Sequence, residues 1–347
     1  MIAAATAQRT TSISSHIRRA AAGTHLSADE SREAVCAIME GVVSPAQIAA
    51  LLTALAIKGE TVEEIAGAAR AMRAHAVAVD ADGLRAIDVC GTGGDGAGTF
   101  NISTAVAFVV AGAGVAVAKH GNRAMSSRCG SADVLEALGV RIDLAPQRTA
   151  EILRAHAIAF MFAQAHHPAM RHVAPVRREL GMRTMFNLLG PLTNPAGVKR
   201  QLVGVAHDSV RAMLALALGR LGSERAAVIS GSDGLDEATL AGPTRVTEWT
   251  GRDTLEYEIV PEDVGAERAA STALVGGDAT DNAAIVEAVL DGRRGPHRDV
   301  VILNAALALY IAGAEKSISR AGATARRSID SGAARGKLDE LVRESNR

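Results

Sequence analysis

The sequence predicts an α/β protein, with a small helical N-terminal domain ahead of a larger α/β domain built on a mostly parallel central sheet. Three observations point there. Helix-start signatures recur through the first eighty residues, and from Leu84 onward short β-prone runs alternate with longer helical stretches. Two successive β-prone runs also end in loops dense with glycine or with hydrogen-bond donors.

The helical part is read from capping boxes, in which a hydroxyl residue accepts from the backbone three positions on and a Glu or Gln there reaches back. Ser27 with Glu30, Ser44 with Gln47 and Thr61 with Glu64 fit this pattern. Pro45 sits where a first-turn proline loses nothing, and Gly59 sits where that helix should stop. Residues 1–26 read as an extension that could be disordered, and residues 1–84 as the helical domain, with a segment near 177–200 able to rejoin it. In residues 85–347 the strand candidates are Ala86–Cys90, Val115–Ala118, Ala157–Phe162, Leu202–Ala206 and Ala226–Ser230. Helical stretches between them are Ile102–Ala111, Ala132–Leu138, Gln147–Ala155 and Ser209–Leu221. Such alternation builds parallel sheets whose ligands gather at the carboxyl ends of the strands.

Composition narrows the function. With 37 Lys+Arg against 38 Asp+Glu, no overall field favours nucleic acid or an anionic membrane. The apolar run Ala105–Ala118 is shorter than the ~18 residues of a membrane span. Cys36, Cys90 and Cys129 are scattered, without a CxxC pair, so a reducing cytoplasm is the expected location.

After the first strand candidate comes Gly91-Thr92-Gly93-Gly94-Asp95-Gly96-Ala97-Gly98-Thr99, followed by Phe100-Asn101-Ile102-Ser103-Thr104 and a helix. Backbone N–H groups uncovered by glycine, next to a helix N-terminus, make a cradle for phosphate oxygens. Gly91, Gly93 and Gly96 satisfy GxGxxG, yet a dinucleotide site wants an acid ~20 residues on. No Asp or Glu occurs from Gly96 through Ala132, where Lys119, Arg123 and Arg128 stand instead. A Walker loop is excluded as well, since GxxxxGK[ST] does not occur. The second loop, Lys119-His120-Gly121-Asn122-Arg123 to Ser131, would lie beside the first if their strands are neighbours.

Taken together, GTGGD, NIST and KHGNR followed by GSADVLEALG resemble the anthranilate phosphoribosyltransferase family. His166–Gly181, Phe186–Ala196 and the GLDE stretch Gly234–Glu237 agree with it in order. The resemblance implies a fold of the nucleoside phosphorylase/phosphoribosyltransferase type, a homodimer through the helical part, and Mg2+ as cofactor. It implies a reaction in which anthranilate displaces pyrophosphate from phosphoribosyl diphosphate. Carried over by motif, the phosphoribosyl diphosphate residues are Gly91, Gly94, Asp95, Thr99, Asn101, Ile102, Ser103, Thr104, Lys119, His120, Gly121, Asn122, Arg123, Ser127 and Ser131. Gly91, Asn122 and Arg177 are implied for anthranilate, and Ser103, Asp236 and Glu237 for the metal. Arg128-Cys129 departs from the Lys-Ser pair the resemblance leads one to expect, and both stay off the site, as does Arg183.

Adjacent carboxylates on a strand point to opposite faces, so Asp236 and Glu237 converge only if the chain turns, as Gly231-Ser232-Asp233-Gly234 suggests. No catalytic base is assigned, because an arylamine is neutral at pH 7. His166, His167 and His172 are read as scaffold, lacking supporting cysteines. Two other readings stay open. A pyrimidine nucleoside phosphorylase would use inorganic phosphate behind similar loops, and a non-catalytic relative that binds nucleic acid would lack the acidic pair and carry a basic surface.

Overall fold

Two of the three helix-start signatures close as the capping boxes read, and the third caps from one side only, the Gln47 side-chain amide going to Ser12 and Ser14. In the computed structural model, which describes residues 12–81, 83–124 and 128–347, α1 spans Ser14–Ala21, α2 Ala28–Met39, α3 Pro45–Lys58 and α4 Val62–Ala74. Ser27 and Thr61 close full capping boxes with Glu30 and Glu64, while Ser44 accepts from the Gln47 amide with Pro45 at the first turn. Gly59 ends α3 at φ 86°, a left-handed conformation that penalises side chains. The extension read over residues 1–26 is corrected within its described part. Residues 14–21 are helical because Ile13 and Ala20, seven positions apart, bury on one face at 2% and 1% exposure. Arg19 ties this helix to Glu30 and to the His25 carbonyl.

Glu64 is the buried joint of this first unit. It caps its own helix and accepts from the Leu26 amide at 2.8 Å and the Lys58 ammonium at 2.9 Å. The unit runs to Ala76 and also contains His167–Thr193. That returning segment carries the helix Ala174–Leu180, stopped by Gly181 in the left-handed region.

The second unit, Val77–His166 with Asn194–Arg347, holds one seven-stranded sheet in the order β3-β2-β1-β4-β5-β6-β7. Its strands are β1 Ile87–Gly91, β2 Val117–Gly121, β3 Ile158–Phe162, β4 Arg200–Gly204, β5 Arg225–Gly231, β6 Thr244–Trp249 and β7 Thr254–Ile259. The first five pair in parallel and the last two antiparallel. This is the α/β class expected, though the hairpin of β6 and β7 was not. TLEYEI, the mostly exposed edge strand, carries Glu256 and Glu258 at alternate positions, and TRVTEW is interrupted by Arg245 and Glu248, so neither gives an apolar run.

Two strands also start elsewhere than expected. β2 extends through Lys119-His120-Gly121, polar residues read as loop, because a central strand buries them and bonds them to neighbours. β4 starts at Arg200, in register with Ile87 of β1 and Arg225 of β5. Helices α5 Ile102–Gly112, α6 Ser131–Ala137 and α7 Pro146–His156 follow in order. α5 is buried along nearly its whole length, from Ile102 to Ala111, and belongs to the apolar core that covers the sheet. No described helix is long and apolar enough to cross a membrane.

Candidate active site

Because β1 and β2 are parallel neighbours, the loops that follow them leave the sheet at the same end. The glycine-rich loop starts at Gly91, and Thr92 prolongs the ladder by donating to the Gly204 carbonyl at 2.9 Å. Gly93, Gly94, Gly96 and Gly98 all take positive φ, between 63° and 86°, with open space where a Cβ would stand. Backbone conformation, not crowding, requires glycine there. The amides of Gly94, Asp95 and Gly96 make no hydrogen bond to other described residues, and Gly94 and Gly96 are exposed. Asp95 accepts from Ala97 at 3.1 Å and Thr99 bridges Val275, so the loop is anchored at its far end.

The acidic corner comes from the turn after β5. Gly231 donates to the Leu235 carbonyl at 2.9 Å, Thr239 donates to the Asp233 carboxylate at 2.8 Å, and Asn304 pins Ala238 from both sides. Asp236 and Glu237 therefore leave the turn together. Asp236 accepts from the Gly93 amide at 2.7 Å. Glu237, 9% exposed, accepts from the Ser103 amide at 3.1 Å and from the Ser103 hydroxyl. A Cβ on Gly91 would lie 2.3 Å from Asp236 Oδ2, and one on Gly204 would lie 1.6 Å from the Asp236 carbonyl oxygen. Two strand-end glycines thus make room for the corner.

Burial, together with the charges of Glu237 and Asp95, pushes the Asp236 carboxyl well above its ordinary range. Loss of water also raises Glu237, to about 7, against the Ser103 bonds and the positive charge of Lys119. Two buried acids that resist ionising together repel each other when both are charged, and a divalent cation taking the place of their protons relieves that repulsion. Hydroxyl and carboxylate oxygens are the donors magnesium takes, and the residues present fit it. Among the described residues no three His, Cys, Asp or Glu side chains form a closed cage, so such an ion would keep other ligands of its own.

Beneath the loops lies a polar layer not anticipated from the sequence. Asp88 in β1 is fully buried and accepts from the His120 amide at 3.1 Å and from Asn194 at 2.8 Å. Lys119, 4% exposed, donates to the Val89 carbonyl at 2.7 Å. Burial raises the Asp88 carboxyl while Lys119, Asn194 and the His120 amide pull it back. A lone acid inside an apolar strand run, and the asparagine of GPLTN, were the available signals for this layer.

The second loop folds onto itself. Asp133 accepts from the Ala124 and Gly130 amides at 3.0 and 2.9 Å, and Asn122 accepts from Arg123, Ser131 and Ala132. Gly121 lies against Ser131, whose hydroxyl would meet a Cβ at 2.2 Å. The Arg123 guanidinium is held by Asp133 and Glu136 and lies over the Phe162 ring at 5.4 Å. Cys129 is buried, and burial pushes its thiol up to about 11, so it stays a neutral donor to Asn101. Ser127 lies outside the described residues.

One unit therefore brings together Gly91, Gly94, Asp95, Thr99, Asn101, Ser103, Lys119, His120, Gly121, Asn122, Arg123, Ser131, Asp236 and Glu237. Ile102 and Thr104 are buried in the first turn of α5. Arg177 belongs to the other unit. It is half-buried over the Phe186 ring at 6.0 Å, without an ion pair among the described residues, and burial lowers its pKa. Of the histidines read as scaffold, His166 is bonded through Nδ1 to the Val77 carbonyl at 2.8 Å.

Comparison with known proteins gives the same architecture a family. Residues 83–335 match the glycosyl transferase family a/b domain, and residues 14–76 the helical bundle domain of that family. The anthranilate phosphoribosyltransferase of Moorella thermoacetica is 56% identical over 330 residues, covering 95% of this chain and 97% of that protein. Among solved structures, the anthranilate phosphoribosyltransferase of Thermus thermophilus is 46% identical at a TM-score of 0.91, covering 96% of this chain and 99% of that one. The enzyme of Saccharomyces cerevisiae, in complex with PRPP and Mg, is 27% identical at a TM-score of 0.88, covering 96% and 98%.

Proposed function

Because the chain belongs to the anthranilate phosphoribosyltransferase family, we propose that its two strand-end loops grip phosphoribosyl diphosphate opposite the corner of Asp236 and Glu237. The enzyme transfers the 5-phosphoribosyl group to the amine of anthranilate and releases pyrophosphate, a step of tryptophan biosynthesis. The observation that carries the site assignment is the pair of bonds from Gly93 to Asp236 and from Ser103 to Glu237, which lock the glycine-rich loop to the acids.

In the reaction the bond from the anomeric carbon to pyrophosphate breaks with its electrons on the leaving group. The amine nitrogen bonds to that carbon and then loses a proton. Positive charge grows on the sugar and negative charge on pyrophosphate, so donors aimed at the leaving group lower the barrier most. The open amides of Gly94, Asp95 and Gly96, and the polar groups of Thr99, Asn101, Ser103, Thr104, Lys119, His120, Asn122, Ser127 and Ser131, supply that environment. Ser103, Asp236 and Glu237 would hold Mg2+, whose chemistry is charge neutralisation on the diphosphate oxygens. Gly91 and Asn122 would meet anthranilate. The neutral arylamine needs placement more than deprotonation, and no base is assigned.

Arg177 is the proposed partner of the anthranilate carboxylate. A half-buried guanidinium without an ion pair among the described residues is a fork suited to an anion. Arg177→Ala should raise the anthranilate KM about 10-fold or more, with the phosphoribosyl diphosphate KM unchanged. A defect confined to the phosphoribosyl substrate would show that the role is misplaced. Anthranilate fluorescence followed with phosphoribosyl diphosphate and magnesium tests the whole assignment, and consumption should require all three components. Release of base from uridine or thymidine with phosphate, and no use of anthranilate, would overturn it. A cytoplasmic homodimer completes the reading: all three thiols are free, and Ile57 on α3 is an apolar side chain 80% exposed. Analytical ultracentrifugation of the wild type and Ile57→Glu checks the dimer.

A further inference from the structure

Asn101, just before α5, ties the two loops together. Its Nδ2 donates to the Cys129 carbonyl at 3.2 Å, and its Oδ1 accepts from the Cys129 thiol at 3.3 Å. A third bond reaches it from far along the chain, because Asn282 in the helix Ala279–Leu290 donates to the same Oδ1 at 2.9 Å. Asn282 is 1% exposed and its own Oδ1 accepts from the Gly277 amide at 2.7 Å. Both ends of its amide are therefore committed, and a flip would set N–H against N–H and oxygen against oxygen.

The segment before that helix runs along the glycine-rich loop. Gly276 donates to the Gly98 carbonyl at 2.9 Å and Phe100 donates to the Leu274 carbonyl at 3.1 Å, around the bridge of Thr99 and Val275. Contact is close enough that a Cβ on Gly276 would lie 2.3 Å from Asn282 Oδ1 and 2.7 Å from Phe100 Cα. Asn282 is thus the interior support from which the Asn101 amide takes its orientation.

We propose that Asn282 is a positioning residue for phosphoribosyl diphosphate, fixing the Asn101 amide and through it the spacing of the two donor loops. This rests on the reading of those loops as the cradle for that substrate. Asn282→Ala removes the donor to Asn101 and the acceptor for Gly277, leaving buried polar groups unpaired. Asn282→Asp keeps the size and the Gly277 bond but turns an oxygen toward Asn101 Oδ1.

The test is steady-state kinetics with both substrates varied, and calorimetric titration of phosphoribosyl diphosphate with magnesium, on wild type, Asn282→Ala, Asn282→Asp, Asn101→Ala and the double alanine variant. Each Asn282 variant should raise the phosphoribosyl diphosphate KM and Kd about 10-fold, the loss expected for one buried hydrogen bond. The anthranilate KM should stay put, and the double variant should be no weaker than Asn101→Ala alone. Melting curves set the titration temperature, so a destabilised variant is still compared as folded protein. Equal rises in both KM values, or losses that multiply in the double variant, would overturn the proposal. If Asn101→Ala weakens the substrate and neither Asn282 variant does, the proposal falls while the cradle stands. If Asn101→Ala has no effect in an active enzyme, the assignment of Asn101 to the cradle falls with it.

Discussion

The two loops that leave the sheet side by side present opposite solutions to holding an anion. The first, from Gly91 to Thr99, has Asp95 as its only ionisable side chain, yet its Gly94, Asp95 and Gly96 amides bond to no other described residue. The second, from Lys119 to Ser131, is rich in cations, but Arg123 is already neutralised by Asp133 and Glu136, and Lys119 is buried with its ammonium on the Val89 carbonyl. Charge counted along a sequence is not charge presented to a ligand. Backbone amides held open by glycine are pre-organised donors, whereas surface arginines find the nearest acid.

The largest effect should come from the corner that faces the first loop. Asp236→Asn with Glu237→Gln should cut kcat at least about 100-fold while melting temperature holds or rises, since two crowded buried acids that resist ionising are replaced by neutral amides. Turnover that is unchanged across a magnesium titration would break the comparison at its strongest point. Next comes Gly91→Ala, whose new methyl would enter the Asp236 carboxylate and shift either the loop or the corner. A loss of kcat/KM of about 10- to 100-fold is expected, and wild-type kinetics would show that the close approach is incidental.

A smaller effect should appear with pH. The Glu237 pKa is raised to about 7, above its ordinary 4.5, so the folded metal-free protein binds a proton there that the unfolded chain has released. This contribution to stability is full below 4.5 and is lost as pH rises through about 7. Magnesium and the proton compete for the same oxygens, so the magnesium half-saturation should rise up to about 10-fold between pH 8 and pH 6. Glu237→Gln should flatten both profiles. The smallest effect belongs to Arg123→Ala, in which a partly exposed, acid-paired guanidinium is removed. Stability should change by about 1 kcal/mol or less and the phosphoribosyl diphosphate KM by less than about 3-fold. A large rise in that KM would mean that the guanidinium leaves its acids for the substrate, and the contrast between the loops would narrow.

Local chemistry made much of this legible in advance. Ser27, Ser44 and Thr61 cap helices wherever they occur because their partners lie three residues away. The glycine-rich loop is likewise written in consecutive residues. The β6–β7 hairpin escaped notice because an edge strand needs no apolar run, and Lys119 and His120 looked like loop because only the neighbouring strands give them partners.

By itself the sequence determined where the helices capped by Ser27, Ser44 and Thr61 begin, which loops are rich in amides, and to which family the motifs point, all consequences of neighbours along the chain. Only the tertiary structure decided that Asp236 lies against Gly91 and Gly93, that Glu237 meets Ser103, and that Asn282 reaches Asn101. Those pairings join residues more than a hundred positions apart, and no periodicity or spacing encodes them. They exist because parallel strands bring distant chain ends to one edge, where buried polar groups must find partners or pay the cost of lost water.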